Sequence, residues 1–187
     1  MKKILLFASG AGSNVENIIH YFENNHDVSV VSIFSNNPNS KVLDKAKSHN
    51  IPSLVFNRTE LIEGFVQKKV NELQPDLIVL AGFLWKFPKQ IILEYPNKII
   101  NIHPALLPKY GGKGMYGMKV HQTVLDNKEK ETGITIHYVN EHYDEGEFIF
   151  QQQINIEDCA SADEIAAKIH ELEHKYFPEI IERLLDY

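Results

Sequence analysis

The chain has 187 residues, a net charge of −6 and a single cysteine, Cys159. This length favours one domain over residues 1–187, and a lone thiol suits a reducing compartment. No basic cluster indicates general nucleic-acid binding, and no apolar run approaches the ~20 residues that span a membrane. The apolar run at 4–8 is too short for the core of a signal peptide. We therefore expect a cytoplasmic protein that binds neither nucleic acid nor a membrane, and composition does not choose between a monomer and a homodimer.

Strand-like and helix-like patterns alternate over the first half of the chain. The predicted strands span 3–8, 28–34, 53–56, 77–82 and 99–103, and the predicted helices span 15–23, 41–49, 60–73 and 88–94. The strands are almost continuously apolar, which is typical of a parallel sheet that helices cover on both faces. The alternation therefore predicts an α/β fold with a Rossmann-like, mostly parallel twisted sheet.

The pattern changes after residue 104. A glycine-rich loop at 109–117 leads into a predicted helix at 119–127. Two predicted strands follow at 133–139 and 147–155, and the segment NEHYDEG joins them. Because the two strands are adjacent in the chain and polar at their junction, we expect a C-terminal strand pair that forms a hairpin-like appendage.

A long final helix is predicted to begin at Ser161, whose spacing to Glu164 matches a capping box. Pro178 is expected to bend or interrupt this helix, because proline removes a backbone hydrogen bond. The apolar side chains recur at helical spacing and predict one buried stripe. Its members are Ile165, Ile169, Leu172, Tyr176, Ile180 and Leu184.

The loop at residues 10–14 (GAGSN) follows the first predicted strand and opens the first predicted helix. Free N–H groups at a helix N-terminus suit an anion, and Ser13 or Asn14 could cap the helix or contact the ligand. A dinucleotide fingerprint would place glycine where Val15 stands and an acid after the second strand, where 35–37 reads Ser-Asn-Asn. A Walker loop would end in Gly-Lys-Ser/Thr. A single phosphate is therefore favoured over a nicotinamide cofactor, and the alternative is a plain glycine-rich turn.

Asn101 and His103 lie two residues apart in the fifth predicted strand, so their side chains share one face. Pro104 ends the strand at the carboxyl edge of the sheet, where ligands of open α/β sheets bind. An amide can stabilise negative charge on oxygen, and an imidazole can move a proton. A carboxylate would orient that imidazole, but spacing does not select one from Glu141, Asp144, Glu145 and Glu147. The alternative is a polar pair that satisfies backbone groups at the strand end.

His137 shares a strand face with Thr135 and Val139, and it could either support this site or belong to the core. The spacings of the central histidines match no metal-ligand pattern, and one cysteine supports none. These histidines are His103, His121, His137 and His142. We therefore expect no metal site.

The chain resembles, over essentially its whole length, the folate-dependent phosphoribosylglycinamide formyltransferases of the 10-formyltetrahydrofolate-using family. The motifs that carry the resemblance are SGAGSN at 9–14, LAGF at 80–83, NIHPALLP at 101–108 and H-x-V-x-x-x-x-D-x-G at 137–146. The resemblance implies formyl transfer from 10-formyltetrahydrofolate to the glycyl amine of 5-phosphoribosylglycinamide. The products would be formylglycinamide ribonucleotide and tetrahydrofolate, a step of de novo purine (IMP) biosynthesis. The folate would be a co-substrate, with no metal or nucleotide cofactor.

The resemblance also implies roles for single residues. The catalytic residues would be Asn101, His103 and Asp144, and the phosphate loop would be Gly12, Ser13 and Asn14. Glu173 would contact the ribose or glycinamide part, with His170 a weaker candidate on the same helix face. The folate contacts would be Phe83, Leu84, Trp85, Lys86, Phe87, Asn101 and Arg58.

This chain departs from the family pattern at two places. Many relatives carry a basic residue where Trp85 stands, and here Lys86 follows instead. The loop at 109–117 is longer and richer in glycine than in shorter relatives, so we expect a mobile flap over the cleft.

Other users of the same folate are the nearest alternatives: a sugar N-formyltransferase, a methionyl-tRNA formyltransferase or a formyltetrahydrofolate deformylase. We expect the tRNA enzyme to carry a basic C-terminal domain and the deformylase an extra N-terminal domain, and these 187 residues predict neither. A different class is a non-catalytic phosphate-binding module. Such a module would need the loop at 10–14 but not Asn101, His103 and Asp144.

Overall fold

The computed structural model describes residues 1–186. Their strands form one seven-stranded sheet in the order β3-β2-β1-β4-β5-β6-β7. The strands are β1 (Lys2–Ala8), β2 (Val28–Ser35), β3 (Ser53–Val55), β4 (Leu77–Leu80), β5 (Ile99–His103), β6 (Glu131–Tyr138) and β7 (Phe148–Asn155). The strands β1 to β5 run parallel to one another, β6 runs antiparallel to β5, and β7 runs antiparallel to β6. The predicted Rossmann-like, mostly parallel sheet is confirmed.

Alternating side chains of β1 enter two different hydrophobic cores. Ile4 and Leu6 belong to the core on one face of the sheet, and Leu5 and Phe7 belong to the core on the other. All four are fully buried, which is why the strand reads as an unbroken apolar run. Phe7 also makes edge-to-face contacts with four other rings. Burial on both faces fixes β1, whose carboxyl end supports the site described below.

Seven helices connect and cover the strands. They are α1 (Ser13–Phe22), α2 (Val42–Ser48), α3 (Arg58–Ile62), α4 (Phe65–Leu73), α5 (Lys89–Glu94), α6 (Met118–Asp126) and α7 (Ala162–Leu185). The single helix predicted at 60–73 is wrong, because α3 ends before Gly64 and α4 begins after it. Gly64 has a φ of 93°, a conformation that glycine adopts without strain and that no helix contains. None of the described helices is long and apolar enough to cross a membrane.

The strand pair β6 and β7 is part of the main sheet rather than an appendage. β6 pairs with β5, so that Asn101 faces His137 and His103 faces Thr135. β7 then extends the sheet as its edge strand. Gly133 permits close pairing there, since a Cβ at this position would lie 2.0 Å from the Gln152 carbonyl oxygen. Alternation of polar and apolar residues locates a strand but does not identify the strand that pairs with it. The pairing of β6 with β5 was therefore not predicted.

The final helix α7 runs unbroken through Pro178, so the predicted interruption is wrong. Proline at this position cannot donate to the carbonyl of His174, four residues earlier. The side chain of Asn17 on α1 donates to that carbonyl instead, at 2.7 Å. Only half of the predicted capping box forms: Ser161 Oγ accepts from the Glu164 N–H at 3.2 Å, but the Glu164 carboxylate accepts from the Ala160 N–H rather than from that of Ser161. Contact with α1 therefore compensates for the lost helical hydrogen bond.

The buried face of α7 differs from the predicted stripe at three positions. Phe177 and Leu185 are fully or almost fully buried, whereas Tyr176 and Leu184 are only partly buried. Glu173 also lies on this buried face, next to the partly buried Leu172. The predicted stripe is therefore offset by one residue at three places, where Glu173, Phe177 and Leu185 are buried.

Candidate active site

A cleft of about 590 Å³ opens at the carboxyl edge of the parallel strands. Its walls come from the ends of β1, β4 and β5, from α7, and from the loop at 111–117. The cleft brings together most of the residues that the sequence singled out. These are Gly12, Ser13, Asn14, Phe83, Leu84, Asn101, His103, Asp144, His170 and Glu173. The sheet topology explains this, since loops after parallel strands meet at one edge.

At one end of the cleft, which we call the reaction end, His103 lies beside Asp144. His103 Nδ1 is 3.5 Å from Asp144 Oδ2, and the same oxygen accepts from the Gly112 N–H at 2.9 Å. Asp144 has a φ of 56°, a left-handed conformation that costs energy for a residue with a Cβ. Gly146 lets its loop approach β6, since a Cβ there would lie 1.6 Å from the Tyr138 carbonyl oxygen. The loop therefore holds the carboxylate against His103.

Asn101 is oriented by His137, the residue that faces it across the ladder. His137 Nδ1 donates to the Tyr138 carbonyl at 2.8 Å, so in the neutral ring Nε2 is an acceptor. Asn101 Nδ2 donates to this Nε2 at 3.1 Å. Asp144 Oδ1 lies 3.6 Å from the same nitrogen. His137 thus orients the Asn101 amide and lies beside the Asp144 carboxylate, so of the two roles open to it from the sequence it supports the site.

The two titratable groups of the pair have shifted pKa values. Burial lowers the pKa of His103 below its ordinary value, although the Asp144 carboxylate and the Tyr110 carbonyl act in the opposite direction. Burial raises the pKa of Asp144, but the nearby His137 ring, the charge that His103 carries when it is protonated and the Gly112 N–H outweigh it, so the net shift is downward. Near neutral pH the resting pair is therefore a neutral imidazole beside a carboxylate.

A backbone carbonyl occupies the other nitrogen of His103. His103 Nε2 donates to the Tyr110 carbonyl oxygen at 2.7 Å, and a carbonyl can only accept, so the hydrogen of the neutral ring is on Nε2. Tyr110 has a φ of 58°, and Gly112 and Gly114 also have positive φ values. The glycine-rich loop therefore touches the pair at two points, through Tyr110 on the histidine and through Gly112 on the carboxylate.

At the other end of the cleft, which we call the phosphate end, the loop at 10–14 leads into α1. Gly12 has a φ of 73°, and a Cβ there would lie 2.4 Å from Val42 Cγ2, so only glycine fits. Within the part of the chain that the structure describes, no side chain caps α1, which begins at Ser13. The capping role suggested for Ser13 or Asn14 is therefore absent, and the N–H groups of the first turn remain available to a ligand.

Glu173 and Asn14 form a buried polar pair at the phosphate end. Asn14 Nδ2 donates to Glu173 Oε2 at 3.0 Å, and Glu173 is only 8% exposed. Burial raises the pKa of Glu173, while Asn14 and His170 reduce the shift. Asn14 Oδ1 is buried and has no hydrogen-bond partner among the described residues. Polar groups in this condition are costly unless a ligand satisfies them.

The segment at 83–87 separates the cleft from a smaller recess of about 70 Å³. Phe83 and Phe87 are buried, whereas Leu84 is 45% exposed at the cleft. The Leu84 N–H donates to Ser9 Oγ at 3.0 Å, which ties this segment to the end of β1. Trp85, Lys86 and Phe87 line the recess, which shares Phe83, Asn101, Tyr143 and Asp144 with the cleft.

Arg58 does not line the cleft or the recess. Its guanidinium lies over the Trp85 ring, 5.4 Å from the centroid, and Trp85 packs edge-on against Phe56. The structure therefore gives Arg58 a cation–π contact with Trp85. Arg58 and Trp85 are two of the residues that the family resemblance gave as folate contacts.

The sequence pattern of the formyl transferase family matches residues 2–181. The chain belongs to the formyl transferase family. A phosphoribosylglycinamide formyltransferase of Bacillus subtilis (strain 168) is 38% identical over 191 residues, covering 99% of this chain and 95% of that protein. The chloroplastic phosphoribosylglycinamide formyltransferase of Arabidopsis thaliana is 36% identical, and the alignment covers 96% of this chain and 64% of that protein's length.

Solved structures agree with this family assignment. The phosphoribosylglycinamide formyltransferase of Coxiella burnetii superposes with a TM-score of 0.89 at 30% identity, covering 99% of this formyl transferase and 87% of that chain. The enzyme of the same name from Bacillus halodurans gives a TM-score of 0.88 at 32% identity, with 98% and 95% covered. The match therefore includes β6, β7 and α7, not only the parallel half of the sheet.

The sequence of this formyl transferase does not reveal the contacts that backbone groups make with the site. Tyr110 and Gly112 hold the His103–Asp144 pair through a carbonyl and an N–H, and no side-chain pattern reports such contacts. The glycines at 111–117 were the only signal, since they indicated a loop with unusual backbone angles. His137 could have been found from its place in the motif that ends at Gly146.

Proposed function

We propose that this formyl transferase transfers the formyl group of 10-formyltetrahydrofolate to the glycyl amine of 5-phosphoribosylglycinamide. The products are formylglycinamide ribonucleotide and tetrahydrofolate, in de novo purine biosynthesis. One observation carries the proposal: a single cleft has Asn101, His103 and Asp144 at one end and the loop at 10–14 with Glu173 at the other. The names and near-complete overlap of the relatives support it.

The phosphate end suits the ribonucleotide part of the acceptor. A phosphate at Gly12, Ser13 and Asn14 would accept from the N–H groups at the start of α1 and benefit from the helix dipole. Glu173, buried and aimed into the same end, would accept from a ribose hydroxyl. The hydroxyl would compensate for the burial of that carboxylate. Among the described residues, the nearest basic side chain is His170, whose Nδ1 lies 3.8 Å from Glu173 Oε2.

The folate would lie across the segment at 83–87. Leu84 presents an exposed apolar side chain to the cleft, and Trp85, Lys86 and Phe87 line the adjoining recess. The recess ends at Asn101 and Asp144, so a flat ring bound there would bring its substituent to the reaction end. Arg58 would act on the folate through Trp85, whose ring its guanidinium covers.

In the reaction, the glycyl amine attacks the formyl carbon and negative charge develops on the formyl oxygen. Asn101 donates to that oxygen through its amide, which His137 holds in position. An imidazolium at His103 donates as well, and Asp144 beside Nδ1 stabilises its charge. The proton released by the amine reaches N10 of the leaving folate through His103 or an adjacent water.

The resting geometry requires one rearrangement before this chemistry. His103 Nε2–H, the group that would meet the formyl oxygen, is donated to the Tyr110 carbonyl. The glycine-rich loop therefore has to exchange that contact for the substrate, which fits the flap expected at 109–117. The buried ring stays neutral until developing negative charge makes its protonated form favourable.

Formyl transfer measured on alternative acceptors tests the proposal. The purified chain is given 10-formyltetrahydrofolate with phosphoribosylglycinamide, with a sugar-nucleotide amine or with water alone, and the folate product is followed by absorbance. We expect turnover with phosphoribosylglycinamide and none with the sugar-nucleotide amine or with water. Turnover only on the sugar amine, or hydrolysis without an acceptor, would assign the cleft to a sugar N-formyltransferase or a deformylase. No turnover with any acceptor would favour a phosphate-binding module.

Cytoplasmic location, the monomer or homodimer state and the single domain stay predictions.

A further inference from the structure

A second cluster of chemically active side chains lies outside the cleft, where α1 packs beside α2. Glu16 and His20 stand one turn apart on α1, and His49 caps the C-terminus of α2. One ligand atom from each of these three side chains lies within 4.8 Å of the others. The His20 and His49 rings meet edge-on, with centroids 4.9 Å apart. We propose that Glu16, His20 and His49 form a binding site for one zinc-type divalent transition-metal ion.

The donor set determines the class of ion. Two imidazole nitrogens and one carboxylate oxygen suit Zn²⁺, Ni²⁺ or Cu²⁺, whereas Mg²⁺ and Ca²⁺ require mainly oxygen ligands. Three protein ligands leave the fourth tetrahedral position for water. Zinc–ligand bonds of about 2.0–2.1 Å place neighbouring ligand atoms roughly 3.3 Å apart. The three ligand atoms must therefore draw together by up to about 1.5 Å, and the exposure of His20 permits this.

Glu23 supports the use of His20 as a ligand. Its Oε2 lies 3.3 Å from His20 Nδ1, which leaves Nε2 for the metal. Carboxylates that accept from the other ring nitrogen fix the orientation of metal-binding histidines and raise their basicity. Glu23 is thus a positioning residue rather than a ligand.

Lys45 competes for the same place. It lies one turn before His49 on α2, and its ammonium forms an ion pair with Glu16 that lowers the pKa of this carboxyl. The cluster therefore already attracts a cation, and a metal ion would have to displace the ammonium. Replacement of Lys45 should consequently tighten metal binding, an outcome that an unrelated surface histidine pair would not produce.

Zinc titration of the tag-free chain, followed by calorimetry, tests the site. We expect one Zn²⁺ per chain, with affinity weakened at least tenfold in His20→Ala, in His49→Ala and in the isosteric Glu16→Gln. Glu23→Gln should weaken it by about tenfold. Lys45→Gln should strengthen it several-fold, and Mg²⁺ in excess should not compete. His26→Ala, which removes an exposed histidine nearby, and thermal unfolding of each variant serve as controls.

Several results would overturn the proposal. Absence of zinc binding by the parent chain would do so, as would full binding in both His20→Ala and His49→Ala. Binding abolished by His103→Ala but not by these two changes would place the metal in the cleft instead. Unchanged or weaker binding in Lys45→Gln would contradict the displacement of the ammonium. Formyl transfer is measured in parallel, so that failure of this site is distinguished from failure of the proposed reaction.

Discussion

The two ends of the cleft are built in different ways. At the reaction end, Asn101, His103 and Asp144 all have partners within the protein, supplied by His137, Tyr110 and Gly112. At the phosphate end, Asn14 Oδ1 is buried without a partner in residues 1–186, and the pKa of Glu173 is raised by burial. The reaction end is therefore ordered by the protein itself, apart from the Tyr110 contact that the proposed reaction has to displace, whereas the phosphate end is left open to a ligand.

This difference predicts which kinetic constant each end controls. Groups fixed in advance stabilise charge that appears only in the transition state, so their loss lowers kcat. Groups that lack partners until the substrate arrives contribute to binding, so their loss raises KM. Substitutions at each end should therefore separate kcat from KM.

Removal of a donor at the reaction end should have the largest effect. Asn101→Ala and His103→Ala are each expected to lower kcat by about 100–1000-fold with KM for both substrates nearly unchanged, since one donor to the developing oxyanion is lost. Steady-state kinetics with both substrates varied measure this, and His26→Ala is the control. A pure rise in KM in either variant would show that the residue binds the ground state.

A negative charge introduced at the phosphate end should act on binding alone. Asn14→Asp keeps the shape of the side chain but places a carboxylate beside Glu173 and the expected phosphate. KM for phosphoribosylglycinamide should rise about tenfold or more through charge repulsion, while kcat and KM for the folate stay close to the parent values. Asn24→Asp, on the exposed surface after α1, gives the same charge change as a control. An equal effect of both variants would mean that net charge, not the cleft, is responsible.

His137 should matter only through Asn101 and Asp144. His137→Ala removes one hydrogen bond to the amide, worth roughly 1–1.5 kcal/mol, so kcat should fall by about tenfold. In an Asn101→Ala background the same change should have a much smaller effect, because the amide that it orients is gone. Additive losses in this double-mutant cycle would give His137 an independent role and would weaken the view of a pre-organised amide.

The sequence predicted half of this arrangement, for identifiable reasons. Period-two alternation placed Asn101 and His103 on one face, because both lie in one strand. Asp144 could not be chosen from its neighbours, since its position depends on a left-handed residue in a loop and on a ladder between β5 and β6. Only the family resemblance selected it. Long-range pairing of this kind leaves no local pattern in the chain.

Two differences between prediction and structure in α7 also come from contacts with distant segments. The predicted stripe of α7 was drawn from apolar spacing alone and omitted Glu173, which only the family resemblance gave as a ligand contact and which lines the cleft. Pro178 was expected to break this helix, but Asn17 on another helix satisfies the carbonyl that it frees. In both cases a contact from a distant segment overrides the preference of the local sequence.

Acid should destabilise the reaction end through His103. Its pKa is lowered in the folded state, so the unfolded chain binds more protons below about pH 6.5, and stability falls as the pH drops from there. His121 and His174, whose pKa values are also lowered by burial, add to the same slope. Thermal unfolding from pH 7.5 to 5 should show a smaller decrease in Tm for His103→Gln than for the parent. An identical decrease would mean that the buried ring accepts a proton as readily as the unfolded chain.

At the phosphate end the sign is reversed, and a loss of function should bring a gain of stability. Burial raises the pKa of Glu173, so the ionised carboxylate costs free energy above its folded pKa, and this cost vanishes below the unfolded value of about 4.3. Glu173→Gln should therefore raise Tm at pH 7.5 by about 2–4 °C, which corresponds to roughly 1 kcal/mol in a chain of this size, and should leave Tm nearly unchanged at pH 4. The same variant should raise KM for phosphoribosylglycinamide, because the amide accepts less strongly from a ribose hydroxyl. A fall in Tm at pH 7.5 would mean that Asn14 and His170 already compensate for the buried charge, and that this end, like the other, is complete without its substrate.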